Sequence, residues 1–261
     1  MAINIDGFYV TSVDMASFFD NANNLVAMLD EIQDASIENT QENNDITGKN
    51  GAIIGTLKRN KAVSVTINNG LLVAGAIAME TGSPVETGKF IVRATEILTV
   101  NSNSATLEGT PIGAEGAEIV SVRKKGLGGM LEGNYEQDAT ASATGKFAYA
   151  DGTLTFFAGD FEDGEQAVVF YDMEVDNAVR VSNDANTYSG VYKAFIDLQL
   201  TDKCDNIIHG QLIIRRFDAD GNLTLNIGGT DAVMSITGRA LKDTCNTGKD
   251  AGKFWDIIFW E

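Results

Sequence analysis

The residue types that most often do chemistry are scarce in this sequence. His209 is the only histidine, set in the strand-like run Ile207-Ile208-His209-Gly210-Gln211. A Ser-His-Asp arrangement would need that imidazole as its base, and no Gly-x-Ser-x-Gly accompanies it; a structural histidine is the expected role. Zinc sites draw several Cys or His ligands at short spacing, which one histidine and two cysteines, Cys204 and Cys245, do not supply. Asp218, Asp220 and Asn222 imitate the opening of a calcium loop, but Gly221 stands at the fourth position instead of the sixth and no Glu follows at the twelfth. A hairpin turn is expected there. The stretch Lys124-Lys125-Gly126-Leu127-Gly128-Gly129-Met130-Leu131-Glu132-Gly133 is glycine-rich, yet Leu131 takes the place of the third glycine of a dinucleotide fingerprint. None of the Gly-Lys pairs has a glycine five places earlier or a Ser/Thr after it, so the pattern of a phosphate loop is missing. Paired carboxylates could support glycoside hydrolysis, but among 37 acidic residues some pair always looks suitable. The expectation is no catalytic residue, no cofactor and no metal.

The acidic residues outnumber 19 basic ones, for a net charge of -18. Such a field repels nucleic acid, which is bound through Lys and Arg that release condensed counterions. A sequence-reading nucleic-acid binder is therefore not expected. The same sign of charge suits a surface past which DNA must slide, and it also serves simple solubility. Both cysteines sit in polar, loop-like settings, where reduced thiols are the default and pairing stays open. No run reaches the roughly 18 consecutive apolar residues of a membrane helix. The opening Met1-Ala2-Ile3-Asn4-Ile5-Asp6 lacks the basic and apolar regions of a secretory signal. A soluble protein made in the cytoplasm of its producing cell is the reading.

The elements that must position whatever function remains are mostly strands. Val63, Val65 and Ile67 alternate with Ser64, Thr66 and Asn68; Ala194, Ile196, Leu198 and Leu200 alternate with Phe195, Asp197 and Gln199; Leu223, Leu225 and Ile227 alternate with Thr224 and Asn226. Period-two patterning marks strands with one face on a core. Ala167-Val168-Val169-Phe170-Tyr171, Gln211-Leu212-Ile213-Ile214 and Phe254-Trp255-Asp256-Ile257-Ile258-Phe259-Trp260 are apolar on both faces, as in strands covered on both sides. In an isolated molecule the last would leave an aggregation-prone edge, which a partner subunit would cover. Turn signals at Asp151-Gly152, Asp163-Gly164, Asp220-Gly221 and Gly228-Gly229 separate the runs. One helix is expected near residues 70–80, rich in small residues, capped by Asn68 or Asn69 and ended by Gly82. Asn24 to Gln33 fits either a helix or a strand.

From Glu38 to Lys61 the chain is polar and turn-rich. A long segment of that kind is usually functional or disordered; it reads as a mobile hairpin tip or as an arm that orders against a neighbouring subunit. Residues 101–150 are rich in Gly, Ala, Ser and Thr and read as an inserted subdomain or an extended set of weak strands.

A family pattern emerges from the ordered series. The C-terminal elements are Ala167-Val168-Val169-Phe170-Tyr171, Tyr192-Lys193-Ala194-Phe195-Ile196-Asp197, Leu200-Thr201-Asp202-Lys203-Cys204, Ile208-His209-Gly210-Gln211-Leu212-Ile213-Ile214, Asp220-Gly221-Asn222-Leu223, Gly228-Gly229 and Phe254-Trp255-Asp256-Ile257-Ile258. The N-terminal ones are Gln33-Asp34-Ala35-Ser36-Ile37-Glu38, the polar hairpin, a strand and the apolar helix. This series resembles the major tail, or tail tube, proteins of long-tailed bacteriophages. The resemblance implies a mainly β fold of two packed antiparallel sheets, a sandwich or half-barrel, with one short helix, as one tail-tube-like domain over 1–261. It implies a non-enzymatic virion protein of the tail whose rings, typically hexameric, stack into a hollow tube that conducts DNA on ejection. Its partners would be copies of itself and the tape measure, terminator and baseplate proteins; DNA would only pass through the lumen, and no membrane is involved. The polar hairpin would reach the adjacent ring, with Glu42, Asp45, Lys49, Lys58 and Arg59 as the inter-ring residues and the basic ones meeting acidic surface. The competing readings are a capsid decoration or sheath protein, or a surface module binding carbohydrate or protein.

Overall fold

The computed structural model describes residues 7–228, 234–244 and 248–261. The N-terminal hexapeptide, Gly229 of the expected Gly228-Gly229 turn, and Cys245 lie outside the described residues. Among the described residues no helix is long and apolar enough to cross a membrane. The strands in chain order are β1 (Tyr9–Phe19), β2 (Leu25–Leu29), β3 (Ile32–Thr47) and β4 (Ile53–Asn69), followed by helix α1 (Ala74–Thr81). Then come β5 (Glu86–Thr99), β6 (Ser104–Thr106), β7 (Ile119–Lys125), β8 (Leu131–Gln137), β9 (Lys146–Ala150), β10 (Thr153–Phe156) and β11 (Gln166–Arg180). The chain closes with β12 (Val191–Thr201), β13 (Ile207–Leu225), β14 (Met234–Ala240) and β15 (Asp256–Trp260). The expected mainly β fold with one short helix is what the molecule has, in two sheets. The chain divides into two compact units, Met1–Glu86 with Arg180–Glu261, and Thr87–Val179.

In the first unit the sheet runs β2-β1-β12-β13-β14-β4-β3, with β15 paired to β13. The alternating residues fill its core: Val63, Val65 and Ile67 from β4, and Ala194 and Ile196 from β12, are all buried. Phe18 meets Phe217 with ring centroids 5.3 Å apart. The ambiguous segment from Asn24 resolves as strand, with Ala27 and Leu29 buried and Met28 between them exposed, a period of two.

Helix α1 packs on β2 and β13, burying Ala76, Met79 and Glu80. Its small residues permit that approach: a Cβ at Gly75 would lie 2.3 Å from the Val26 carbonyl oxygen. Gly82 ends the helix as expected, left-handed at φ 70° with its N–H donating to Ala78 O at 2.8 Å. The start differs from expectation. Asn68 and Asn69 do not cap it, because both belong to the β4 ladder, opposite Ser235 and Met234; Leu71 and Leu72 precede the helix and are exposed.

The expected hairpin at Phe217–Asn222 is also corrected. The β13 strand runs straight through it, and between Ala219 and Leu223 its register with β14 shifts from Gly238 to Ile236. Four residues advance there against two on the partner strand, so the Asp-Gly signal marks a bulge. Asp218 and Asp220 bind one guanidinium, Arg239, at 3.2 and 2.9 Å. The alternation expected to continue to Ile227 is lost after Leu223: the strand ends at Leu225, and both Leu225 and Ile227 are exposed.

In the second unit the sheet runs β5-β11-β7-β8-β9-β10-β6. The β8–β9 pairing is parallel. Burial on both faces is seen in β11, where Ala167, Val168, Val169 and Tyr171 are all buried. Phe156, Phe161 and Tyr135 form an aromatic cluster; Phe161 lies 4.5 Å from Phe156 and 5.1 Å from Tyr135 between ring centroids. Residues 101–150 lie within this unit and supply β6 to β9. Beside the core, the Glu96 carboxylate accepts the backbone N–H groups of Glu108 and Gly109 (2.9 and 3.1 Å) and the Tyr171 hydroxyl. Burial pushes the Tyr171 hydroxyl up to about 12, assisted by Glu96.

Candidate assembly surface

The polar stretch from Glu38 to Lys61 is an ordered two-stranded arm. The β3–β4 ladder continues beyond the core from Thr40↔Ala62 to Thr47↔Ile53, roughly 25 Å at the usual rise per residue. A bulge sits at its base, where Asn60 adopts φ 53°. Below the bulge the arm is anchored: Trp255 Nε1 donates to Asn39 Oδ1 at 3.2 Å, and Lys61 Nζ lies 5.8 Å from the Phe254 ring centroid. Above it the ribbon stands uncovered. None of residues 38–62 is buried.

All five charged residues expected to form an inter-ring contact fall on this arm. Register pairs Glu42 with Arg59, and their charged groups lie 3.8 Å apart. Glu42 also accepts from Asn60 Nδ2 at 2.7 Å. Asp45 Oδ1 accepts the Thr56 hydroxyl at 3.0 Å. Lys58 stands opposite Asn43, and Lys49 occupies the tip turn; neither makes an ion pair among the described residues.

Polarity and turn signals alone do not reveal the aliphatic side chains on the same arm. Ile46, Ile53, Ile54 and Leu57 are exposed, Ile54 to 71%. The signal that finds them is four large aliphatics within an otherwise polar hairpin. An isolated two-stranded ribbon is marginal in water, and burying such side chains against a partner is worth about 1.5–3 kcal/mol each.

The tip is a five-residue turn. Gly48 N–H donates to Ala52 O at 2.7 Å and Gly51 N–H to Gly48 O at 3.1 Å, with Asn50 at φ 72°. The same turn closes β7–β8. There Gly126 N–H donates to Met130 O at 2.7 Å and Gly129 N–H to Gly126 O at 3.2 Å, with Gly128 at φ 71°. The glycine-rich 124–133 segment is therefore a hairpin tip, and its Leu127 is 96% exposed.

Sheet margins add to the uncovered surface. Among the described residues β15 pairs only with β13, and its Ile258 and Trp260 are exposed. His209 stands opposite Trp260 with the rings stacked at 6.1 Å, so the lone imidazole has a packing role on the sheet face. The β5 strand is the margin of the second sheet and exposes Ile91, Val92 and Ile97. Its Lys89 reaches Glu174 and Asp176 on β11 at 2.9 and 2.8 Å. The hydrogen bonds to Asp176 and Glu174 hold the Lys89 ammonium above its usual range. Long apolar margins of this kind template pairing with another chain. The described residues contain no group of three or more His, Cys, Asp or Glu that could hold a metal ion. Cys204 is an exposed thiol.

No curated protein matches the chain. Residues 8–254 match the model of the YomU/Tube protein family, nearly the whole of the 261 residues, and the chain therefore belongs to that family, as a phage tube structural protein.

Proposed function

We propose that copies of this chain join edge to edge into rings, six to a ring as the resemblance implies, and that the rings stack into the tube of a long phage tail. The observation that carries this reading is the arm: a ribbon with no buried residue from 38 to 62 and four exposed aliphatics. A second copy is the partner that would cover the same surface on every subunit. Heterologous contacts around a closed ring satisfy each margin, and repetition along the axis gives a tube. The apolar β15 and β5 margins serve the contacts within a ring, and the arm reaches the ring above or below.

The net charge of -18 supports a conduit. Acidic groups facing a lumen repel the phosphate backbone, so DNA passes without adhering. The remaining partners are the tail proteins that start, measure and end the tube, and the protein resides in the virion tail. Negative-stain electron microscopy of the purified protein, across concentration and salt, tests the reading. Uniform rings or hollow tubes are expected; a strictly single-copy species at every concentration overturns it.

A further inference from the structure

Beside the C-terminal end of α1 lies a cavity of about 610 Å³ within the first unit. Glu80 is part of its wall and is 1% exposed. One carboxylate oxygen, Oε2, accepts the Gly221 N–H at 2.9 Å; the other, Oε1, is buried with no hydrogen-bond partner. A buried carboxylate oxygen without a donor is costly unless something supplies one.

Three hydroxyls of the lining have already committed their protons. The Ser189 hydroxyl gives its proton to Ala219 O (2.5 Å), Thr81 to Ile77 O (2.9 Å) and Thr187 to Thr81 O (3.1 Å). What these three oxygens still offer is lone pairs. Asp220 adds a second carboxylate, already held by Arg239. No Lys, Arg or His is among the described residues lining the cavity. Ile77, Leu223 and Leu225 complete the wall with apolar surface. Ser182, Asn183 and Tyr188 are the other polar residues of the lining; two carboxylates with no cation in the lining, beside aliphatic surface, suit a primary ammonium on an alkyl stem.

We propose that this cavity is the receptor for the Lys49 side chain of a second copy of the chain, with its ammonium on Glu80. The inference rests on the reading of the arm as a contact between copies, and deepens it by naming where the tip goes. Lys49 stands at the tip, exposed and without an ion pair among the described residues, so its charge is available to a partner. The aliphatics beside it, Ile53 and Ile54, match the apolar wall. Among the described residues of the first unit, no other feature combines a buried carboxylate oxygen lacking a donor with open space.

A double-mutant cycle on the full chain tests it, with the critical concentration for tube formation read by sedimentation and electron microscopy. Glu80→Gln and Lys49→Met should each raise that concentration about tenfold or more, and the double variant no further than the worse single one. Lys49→Arg should keep much of the parent behaviour. Independent effects, about a hundredfold in the double variant, or a parent-like Lys49→Met, would overturn the proposal. Lys49 is on the exposed tip, so its variants decide the matter even if Glu80→Gln folds poorly. If Lys49→Met is parent-like while removal of residues 41–58 abolishes stacking, the arm contact stands and its receptor lies elsewhere. If that removal also leaves the tubes unchanged, or the chain never assembles, both readings fall.

Discussion

Gly221 donates its backbone N–H to Glu80 Oε2 at 2.9 Å, tying the last turn of α1 to the bulge in β13. The positive φ of 71° at Gly221 belongs to that bulge. The Asp-Gly pair that looks like a hairpin turn is thus a backbone donor aimed at a buried carboxylate.

That carboxylate gives a pH prediction. Burial pushes Glu80 up from 4.5 to about 7, with the Gly221 N–H opposing the rise and Asp220 adding to it. Below the unfolded value both states hold the proton, and no charge is buried on folding. As pH rises through the window from 4.5 to about 7 the unfolded chain releases its proton while the folded one keeps it, so stability falls, by up to about 3 kcal/mol. Glu80→Gln lacks this loss. Its gain over the parent should be near zero at acid pH and reach about 2–3 kcal/mol above neutrality, measured by urea unfolding of the dissociated subunit. A constant difference across pH would refute the assignment. A variant that stabilises the subunit yet weakens the tube would separate folding from assembly.

The two hairpin tips make a second prediction. Asn50 and Gly128 hold the same left-handed place in matching turns. Asn tolerates that conformation better than other non-glycine residues. Asn50→Gly should be neutral within about 0.5 kcal/mol, whereas Gly128→Val should cost about 1–2 kcal/mol, because a β-branched residue at positive φ is strained. Denaturant midpoints of the two variants check this; equal effects would show that the turns are not held as described.

Much of the fold is legible in the sequence, and the failures share a cause. Alternation at Val63, Val65 and Ile67 and the left-handed stop at Gly82 are local signals, and the structure follows them. Asn69 has the look of a helix cap, but β14 and β3 claim its backbone on either side, so the ladder outcompetes the cap. Asp220-Gly221 has the look of a turn, but β14 pairs the chain both before and after it, and two extra residues bulge out instead. Pairing partners far away in sequence decide both cases. On the arm, charge and polarity mark its position, while Ile46 and Leu57 stay hidden because aliphatic residues ordinarily mean core. The cavity beside Glu80 leaves no signal at all: its parts come from residues 77–81, 181–189 and 220–225.

The arm supplies the last prediction. None of residues 38–62 is buried, so removing 41–58 and closing the ladder with an Asn-Gly turn deletes no core contact. The anchors at Asn39 and Lys61 remain. Subunit stability should therefore change by less than about 1 kcal/mol, seen as a nearly unchanged unfolding midpoint. Stacking should fail, because the exposed aliphatics leave together with Glu42, Asp45, Lys49 and Lys58. Isolated rings without tubes are the expected image, since the β15 and β5 margins are untouched. Ile53→Ser with Ile54→Ser should act in the same direction more weakly, as about 1.5–3 kcal/mol per buried side chain is lost from the contact. Tubes of normal length from the deleted chain would mean that the arm faces solvent in the assembly and that the margins alone hold it together.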